Sequence, residues 1–281
     1  MIAIVTKPTG SMTNPSDQLA KQQTQPWSVF VLAGARASGD VLAEAHQVPS
    51  KAHISVAGRS MIGRVLGAID RSVFAGAVTV IGLENYEDLQ SRETWPEIDV
   101  VSGQDGPAAS VAATLCRKDA SYPVLVTTCD HALLTAEIID AFVDNTNTSD
   151  ADLTVALARR EDIETAYPDV ARTYLQLGDG AYSSCNLFCL KTPQAAKVVA
   201  FWQAAERDRK KPWKIAWRFG IFTALRLLIG RPPVDEMFRI LSKRLGVRVR
   251  PVILPYADAA VDVDTLADLA LVERVLSERE A

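Results

Sequence analysis

Carboxylates, cations and bare glycine backbone gather at the ends of three apolar runs, the positions where sheet-and-helix proteins commonly bind phosphates and metal ions. The first is Leu32-Ala33-Gly34-Ala35-Arg36-Ala37-Ser38-Gly39, closing the run Ser28–Ala33. A glycine leaving a strand lets backbone approach a phosphate, whose oxygens free N–H groups can bind. Arg36 and, further on, Lys51 supply positive charge for a triphosphate. The same residues also read as a plain turn, and they match neither the dinucleotide nor the P-loop glycine pattern. The second is Asp130 with His131, after the run Pro123–Thr127. An unpaired carboxylate there is expensive, so it calls for a metal ion or a basic partner, or else it caps the following helix. His131 reads either as a further ligand or as a hydrogen-bonded structural residue. The third is Asp262-Val263-Asp264-Thr265. In extended backbone the two carboxylates share a face, which suits a magnesium ion completed by phosphate oxygens and water; Asp264 or Thr265 equally suits a helix N-cap.

These residues need strands to hold them. Short apolar, β-branched runs predict buried strands at Ser28–Ala33, Val78–Ile81, Asp99–Ser102 and Pro123–Thr127. A loop is expected from the end of Ser28–Ala33 to about Lys51. Met61, Ile62, Val65, Leu66 and Ile69 recur at helical spacing, and helices are expected at Pro107–Leu115 and Ala136–Val143. This alternation of strand and helix argues for a parallel sheet covered on both faces. The second half is less regular. Strands are expected at Leu153–Ala158, Thr173–Leu177, Leu187–Leu190 and Val247–Leu254. Helices are expected at Pro193–Arg207, Trp213–Leu228, Val234–Leu245 and Leu266–Glu278. Residues 1–26 are polar with three prolines and read as a flexible extension, which leaves 27–281 as one domain.

Composition excludes several classes. Of 281 residues, 48% are hydrophobic and 23% charged, the balance of an ordinary globular chain. The net charge of −4 gives no overall attraction to nucleic acid, so an anionic ligand needs a local cluster of cations. Of the four cysteines, Cys185 and Cys189 are four apart, but no second Cys/His pair is near to complete a zinc site. They read as isolated thiols in a reducing cytoplasm. The apolar stretch Ile2–Val5 is too short for an export signal, and no run reaches the ~18 apolar residues of a membrane span. The expected location is the cytoplasm.

In order and spacing, the segments resemble the nucleotidyltransferases of the MobA-like (molybdenum-cofactor guanylyltransferase-like) superfamily. The resemblance runs through FVLAGAR (Phe30–Arg36), PSKAHISVAGRSMIGRVLGAI (Pro49–Ile69), SGQDGPAASVAATL (Ser102–Leu115), VLVTTCDHALLT (Val124–Thr135) and DVDTLADLALVERVL (Asp262–Leu276). It implies a GT-A-type, Rossmann-like, three-layer αβα fold with a mostly parallel sheet. It also implies roles. Leu32, Ala33, Gly34, Ala35, Arg36 and Gly39 belong to the loop that cradles the β- and γ-phosphates. Lys51 sits by the α-phosphate and, with Arg36, offsets charge in the transition state. Asp130 and Asp264, with Asp262, hold Mg²⁺. Gln104, Gly106 and Ser110 contact base or ribose, and Asn186 lies on the acceptor side. The implied reaction joins the NMP of an NTP, CTP or GTP in first place, to a phosphorylated small molecule and releases pyrophosphate. The absence of a Ser/His/Asp or Cys/His arrangement agrees with a reaction that needs no covalent enzyme intermediate.

Residues 207–231 mix Lys and Arg with Trp213, Trp217, Phe219 and Phe222. This stretch reads as a packed helix with a solvated basic end, as a basic lid within an acceptor-side segment 207–246, or as a peripheral membrane contact. Two other functions compete: a GT-A glycosyltransferase using a nucleotide sugar, for which Asp262-Val263-Asp264 stands as the Asp-x-Asp, and an inactive nucleotide-binding regulator, suggested by the altered loop Ala35–Gly39. A homodimer is the default expectation for the assembly.

Overall fold

The computed structural model describes residues 26–34, 39–117, 121–168, 170, 172–207 and 230–280. Arg36 and Ala35 of the first loop lie outside them, as do 1–25 and 208–229, so the expected extension, the helix Trp213–Leu228 and most of the basic aromatic stretch are outside too.

Strand β1 (Trp27–Leu32) runs through the middle of the sheet. A short helix α1 (Val41–Ala45) follows, then the two-residue strands β2 (Ser55–Val56) and β3 (Arg59–Ser60), helix α2 (Met61–Arg71) and β4 (Ala75–Ile81). Next come α3 (Tyr86–Arg92), β5 (Ile98–Val101), α4 (Pro107–Leu115), β6 (Val124–Thr128), α5 (Ala136–Thr148), β7 (Leu153–Arg159) and α6 (Arg160–Ala166). The chain continues with β8 (Leu175–Leu177), β9 (Gly180–Leu190), α7 (Ala196–Arg207), α8 (Val234–Leu245), β10 (Val249–Leu254) and α9 (Leu266–Glu280). Among the described residues the large sheet has eight strands, in the order β10-β7-β9-β6-β1-β4-β5 with β8 attached to β9. β1 pairs in parallel with β4 and β6, β4 with β5 and β10 with β7, while β9 runs antiparallel to β6, β7 and β8. The fold is a three-layer, mostly parallel α/β sandwich.

The apolar run of β1 is unbroken because both of its faces are covered. Val29 and Val31 pack with Ile62, Val65, Leu66 and Ile69 of α2 and with Ile138 and Phe142 of α5. Phe30, pointing the other way, packs with Val111 of α4, Val199 of α7 and Phe238 of α8. A third cluster lies beside these layers and joins Leu42, Ile54, Val56, Met61, Ala132, Leu133, Val261 and Val263 to Leu269, Val272 and Val275 of α9. This third cluster gathers the segments that carry the candidate site. Among the described residues no helix is long and apolar enough to cross a membrane. Cys129, Cys185 and Cys189 are buried and Cys116 is exposed, and all four are free.

The structure departs from the expected elements where polar residues decide them. The loop expected before Lys51 contains α1, whose start is capped by Asp40: its carboxylate accepts from the Leu42 and Ala43 amides at 3.0 and 3.3 Å. β9 begins seven residues before the expected Leu187, because Ser183, Ser184 and Asn186 interrupt its apolar pattern without stopping its pairing to β7. α5 runs on to Thr148, with the buried Thr146 hydroxyl 2.8 Å from that of Thr154.

The far end of the sheet is tied by Asp152, which is buried before β7. It accepts from the Arg248 amide, Nε and guanidinium at 3.0, 3.1 and 3.0 Å and from the Thr192 hydroxyl at 2.9 Å. Arg248 beside it holds the carboxyl well below the usual carboxylate range. A depressed folded value contributes stability that is present above the unfolded value near 3.8 and is lost as pH falls below it. Asp152→Asn is expected to lose about 2 kcal/mol, roughly 4–8 °C in Tm at pH 7. In melting curves the gap from wild type should narrow as pH is lowered toward 3; equal Tm values at pH 7 would show that the cluster is not a tie.

Candidate active site

Lys51 opens a single 3-10 turn, Lys51–His53, pinned by the fully buried Ala52 and Ile54. The turn delivers its side chain into a gap between two distant segments. Its ammonium forms an ion pair with Asp130, lies 2.8 Å from Asp264 Oδ1 and donates to the Val263 carbonyl at 3.4 Å. Burial works against the charge, but Asp130 and Asp264 more than offset it and hold the ammonium above the ordinary lysine range. Lys51 is therefore a permanent cation at neutral pH and not a proton acceptor.

Neither carboxylate caps the helix that follows it, because other residues do. Thr135 caps α5, accepting from the Ile138 amide at 3.3 Å, which leaves Asp130 to receive the Thr128 hydroxyl and Lys51. At α9 the cap is reciprocal: Thr265 Oγ1 accepts from the Asp268 amide at 3.2 Å and Asp268 Oδ2 from the Thr265 amide at 2.9 Å. The Val263 amide donates to the Asp130 carbonyl at 3.0 Å, which docks the Asp262–Thr265 segment against the end of β6.

The two aspartates of that segment part company. Asp264 goes to Lys51, whereas Asp262 pairs with Arg172 and lies 3.5 Å from Asn186 Nδ2. Burial pushes the Asp262 carboxyl up, Arg172 opposes this, and Asp130 and Asp264 add to it. Asn186 sits where the β7–β9 register shifts, in left-handed backbone with φ 49°, a conformation Asn tolerates better than most residues. His131 is buried in the adjoining core and burial pushes it down to about 4, so it is neutral. Among the described residues no three His, Cys, Asp or Glu side chains converge to hold a metal ion. The donor set that does converge, Asp130 and Asp264 around a single positive charge, fits a magnesium ion whose remaining ligands are substrate phosphate oxygens and water.

Beside Asp130 the strand ends form a bare backbone floor. Leu32 and Ala33 spend backbone groups on the sheet, the Leu32 carbonyl accepting from Cys129 at 2.9 Å and the Ala33 amide donating to Ile81 at 2.9 Å. Gly34, Gly82 and Gly103, after β1, β4 and β5, then stack without side chains: a Cβ on Gly82 would stand 2.8 Å from the Gly34 Cα and 3.5 Å from the Gly103 Cα. Sequence reasoning named Gly34 and missed the other two, although each follows a predicted strand just as Gly34 does. Gly39 lies at φ 80° before α1. In the loop after β5, Gln104 is exposed, and the buried Ser110 hydroxyl accepts from the Gln104 amide at 2.8 Å and donates to the Gly106 carbonyl at 2.9 Å. Ser110 thus braces the loop that presents Gln104. Arg172 belongs to no motif and was also missed.

The charged side chains and bare glycines thus lie at the carboxyl ends of parallel strands, the place where open α/β sheets commonly bind ligands. A family model for the MobA-like NTP transferase domain matches residues 29–231. Among solved structures, a hypothetical transferase from Thermus thermophilus is similar at 27% identity and TM-score 0.74, over 87% of this chain and 100% of that one. The 4-diphosphocytidyl-2C-methyl-D-erythritol synthase of Anaerococcus prevotii is similar in fold, at 12% identity and TM-score 0.56, over 90% and 99%. A CMP:2-keto-3-deoxy-manno-octonic acid synthetase complexed with CTP shares the fold at 11% identity and TM-score 0.53, over 91% and 100%. No curated protein matches by sequence. With the domain match covering most of the chain, from β1 past α7, the chain belongs to the MobA-like NTP transferase family and is a nucleotidyltransferase.

Proposed function

We propose that the enzyme transfers the NMP of CTP or GTP to a phosphorylated small-molecule acceptor, with Mg²⁺ held by Asp130 and Asp264. The observation that carries this reading is the Lys51 ammonium seated between those two carboxylates. In the reaction an acceptor phosphate oxygen attacks the α-phosphorus in line, the bond to the β-phosphate oxygen breaks, and pyrophosphate leaves with the electron pair. The attacking oxygen is already anionic, so no general base is required, in keeping with a Lys51 that stays protonated. Lys51 offsets the negative charge that grows at the α-phosphoryl group, and its two carboxylates orient it. Bound Mg²⁺ supplies a second, doubly charged counter-ion to the phosphates. The glycine floor of Gly34, Gly82 and Gly103 leaves room for a flat base or a ribose to lie against backbone. CTP is the first candidate because one solved relative holds it.

The test is a thermal-shift panel of ATP, CTP, GTP and UTP, each with and without Mg²⁺, on wild type and Asp130→Asn. A ligand at 100 times its Kd adds roughly 2.7 kcal/mol of stability. One triphosphate should stabilise the wild type in the presence of Mg²⁺ only, and the variant should lose that gain. Stabilisation by nucleoside-diphosphate sugars and by no triphosphate would replace the reading with glycosyl transfer.

A further inference from the structure

Arg172 enters the site from the coil between α6 and β8, and its side chain is only 11% exposed. Its guanidinium pairs with the Asp262 carboxylate, donates to the Asp262 carbonyl at 3.2 Å and reaches Asp268 Oδ1 at 3.4 Å. These contacts straddle Asp264, with one anchor before it in the chain and one after. The second anchor is itself bonded back to the same segment. Asp268 Oδ2 accepts from the Asp264 amide at 3.3 Å, the Thr265 amide at 2.9 Å and the Thr265 hydroxyl at 2.7 Å. The backbone on either side of Asp264 is therefore closed into one hydrogen-bonded ring through a single guanidinium.

Charge makes the ring dependent on that group. Asp130, Asp262, Asp264 and Asp268 crowd the end of β6 and the start of α9, where Lys51 pairs with Asp130 and Asp264 and Arg172 with Asp262 and Asp268. Without Arg172, two carboxylates flanking Asp264 would repel each other and Asp264 with no local counter-ion. A planar guanidinium can bind both carboxylates and a carbonyl at once, which an ammonium on a flexible stem does poorly.

We infer that Arg172 is a positioning residue of the transfer reaction: by clamping Asp262 and Asp268 it holds Asp264 in place opposite Asp130 and Lys51. This rests on the proposed role of Asp130 and Asp264 as the carboxylates that hold the divalent ion. Residues that orient metal-binding carboxylates typically affect metal affinity by about 10–100-fold.

The experiment measures binding of manganese pyrophosphate by titration calorimetry to the whole protein, a probe that supplies both ion and phosphate oxygens without committing to a base. Wild type and Asp264→Asn test the underlying assignment, and loss of binding in Asp264→Asn is the expected result. Arg172→Met is then expected to weaken binding at least tenfold, with Arg172→Lys recovering part of it. Asp152→Asn serves as a control at the far end of the sheet, less stable yet with unchanged affinity. An Arg172→Met protein that melts lower but binds the probe as tightly as wild type makes Arg172 a mere brace and overturns the proposal, while the Asp264 result stands. Unaltered binding in Asp264→Asn, or no binding by wild type, removes the assignment of the ion's carboxylates and the proposal with it. If Arg172→Met does not fold, Arg172→Gln, which keeps hydrogen bonding and removes the charge, is read in the same way.

Discussion

Lys51→Met is expected to lower the rate of nucleotidyl transfer by about 10²–10³-fold, the usual cost of removing one preorganised group aimed at developing transition-state charge. The size follows from the geometry. The ammonium is fixed by two carboxylates and a backbone carbonyl before any substrate arrives, so no reorganisation is needed during the reaction. It is held protonated throughout the working pH range, so its loss removes charge and not a proton carrier. A second consequence separates this account from a general loss of folding. In the variant Asp130, nearly buried, faces Asp264 with no cation between them, which should cost roughly 3 kcal/mol. Millimolar Mg²⁺ should return much of that stability, raising the Tm of Lys51→Met more than that of wild type. Pyrophosphate-release rates and melting curves with and without Mg²⁺ give both numbers. A variant of wild-type activity would remove Lys51 from the mechanism.

Gly82→Ala should be strongly damaging, because backbone strain and crowding act together there. Gly82 adopts φ 81°, where an L side chain is strained by about 1–3 kcal/mol. The added Cβ would also lie 2.8 Å from the Gly34 Cα and 3.1 Å from its nitrogen, and both are backbone atoms of the strand end next door. Neither can retreat without disturbing the bond from the Gly82 amide to the Val101 carbonyl at 2.8 Å, or that from the Ala33 amide to Ile81. Strain and crowding together predict a loss of roughly 2–5 kcal/mol, with nucleotide affinity falling alongside because the floor itself is displaced. Gly246→Ala isolates the first of these costs: it has φ 64° but open space around the Cβ, so it should lose about 1 kcal/mol and leave nucleotide binding intact. Equal Tm losses in the two variants would mean that the close stacking of strand ends contributes nothing.

Elements governed by neighbours in the chain were legible from the sequence. The short apolar run Ser28–Ala33, with its two valines, reads as a strand buried on both faces, and Pro107 with its small-residue run marks α4 from first residue to last. The order of motifs also indicated the family. Two ambiguities needed the fold, because a carboxylate beside a helix start looks alike whether it caps the helix or binds an ion. The capping half of each is answered by Thr135 and by the Thr265–Asp268 pair, which take the capping positions while Asp130 and Asp264 pair with Lys51. The contact between Lys51 and Asp264 spans 213 residues, so no local pattern announces it. Arg172 left no trace in the sequence for the same reason: its partners lie 90 and 96 positions away. The separation of Asp262 from Asp264 was likewise invisible, since alternation shows only which face a side chain leaves from. Chain-local physics determined most of the strands, the longer helices and the Gly34 turn, and left the short helices α1, α3 and α6 unannounced; which charges meet was decided by the third core cluster, which packs α9 against the segments that follow β6 and precede α2.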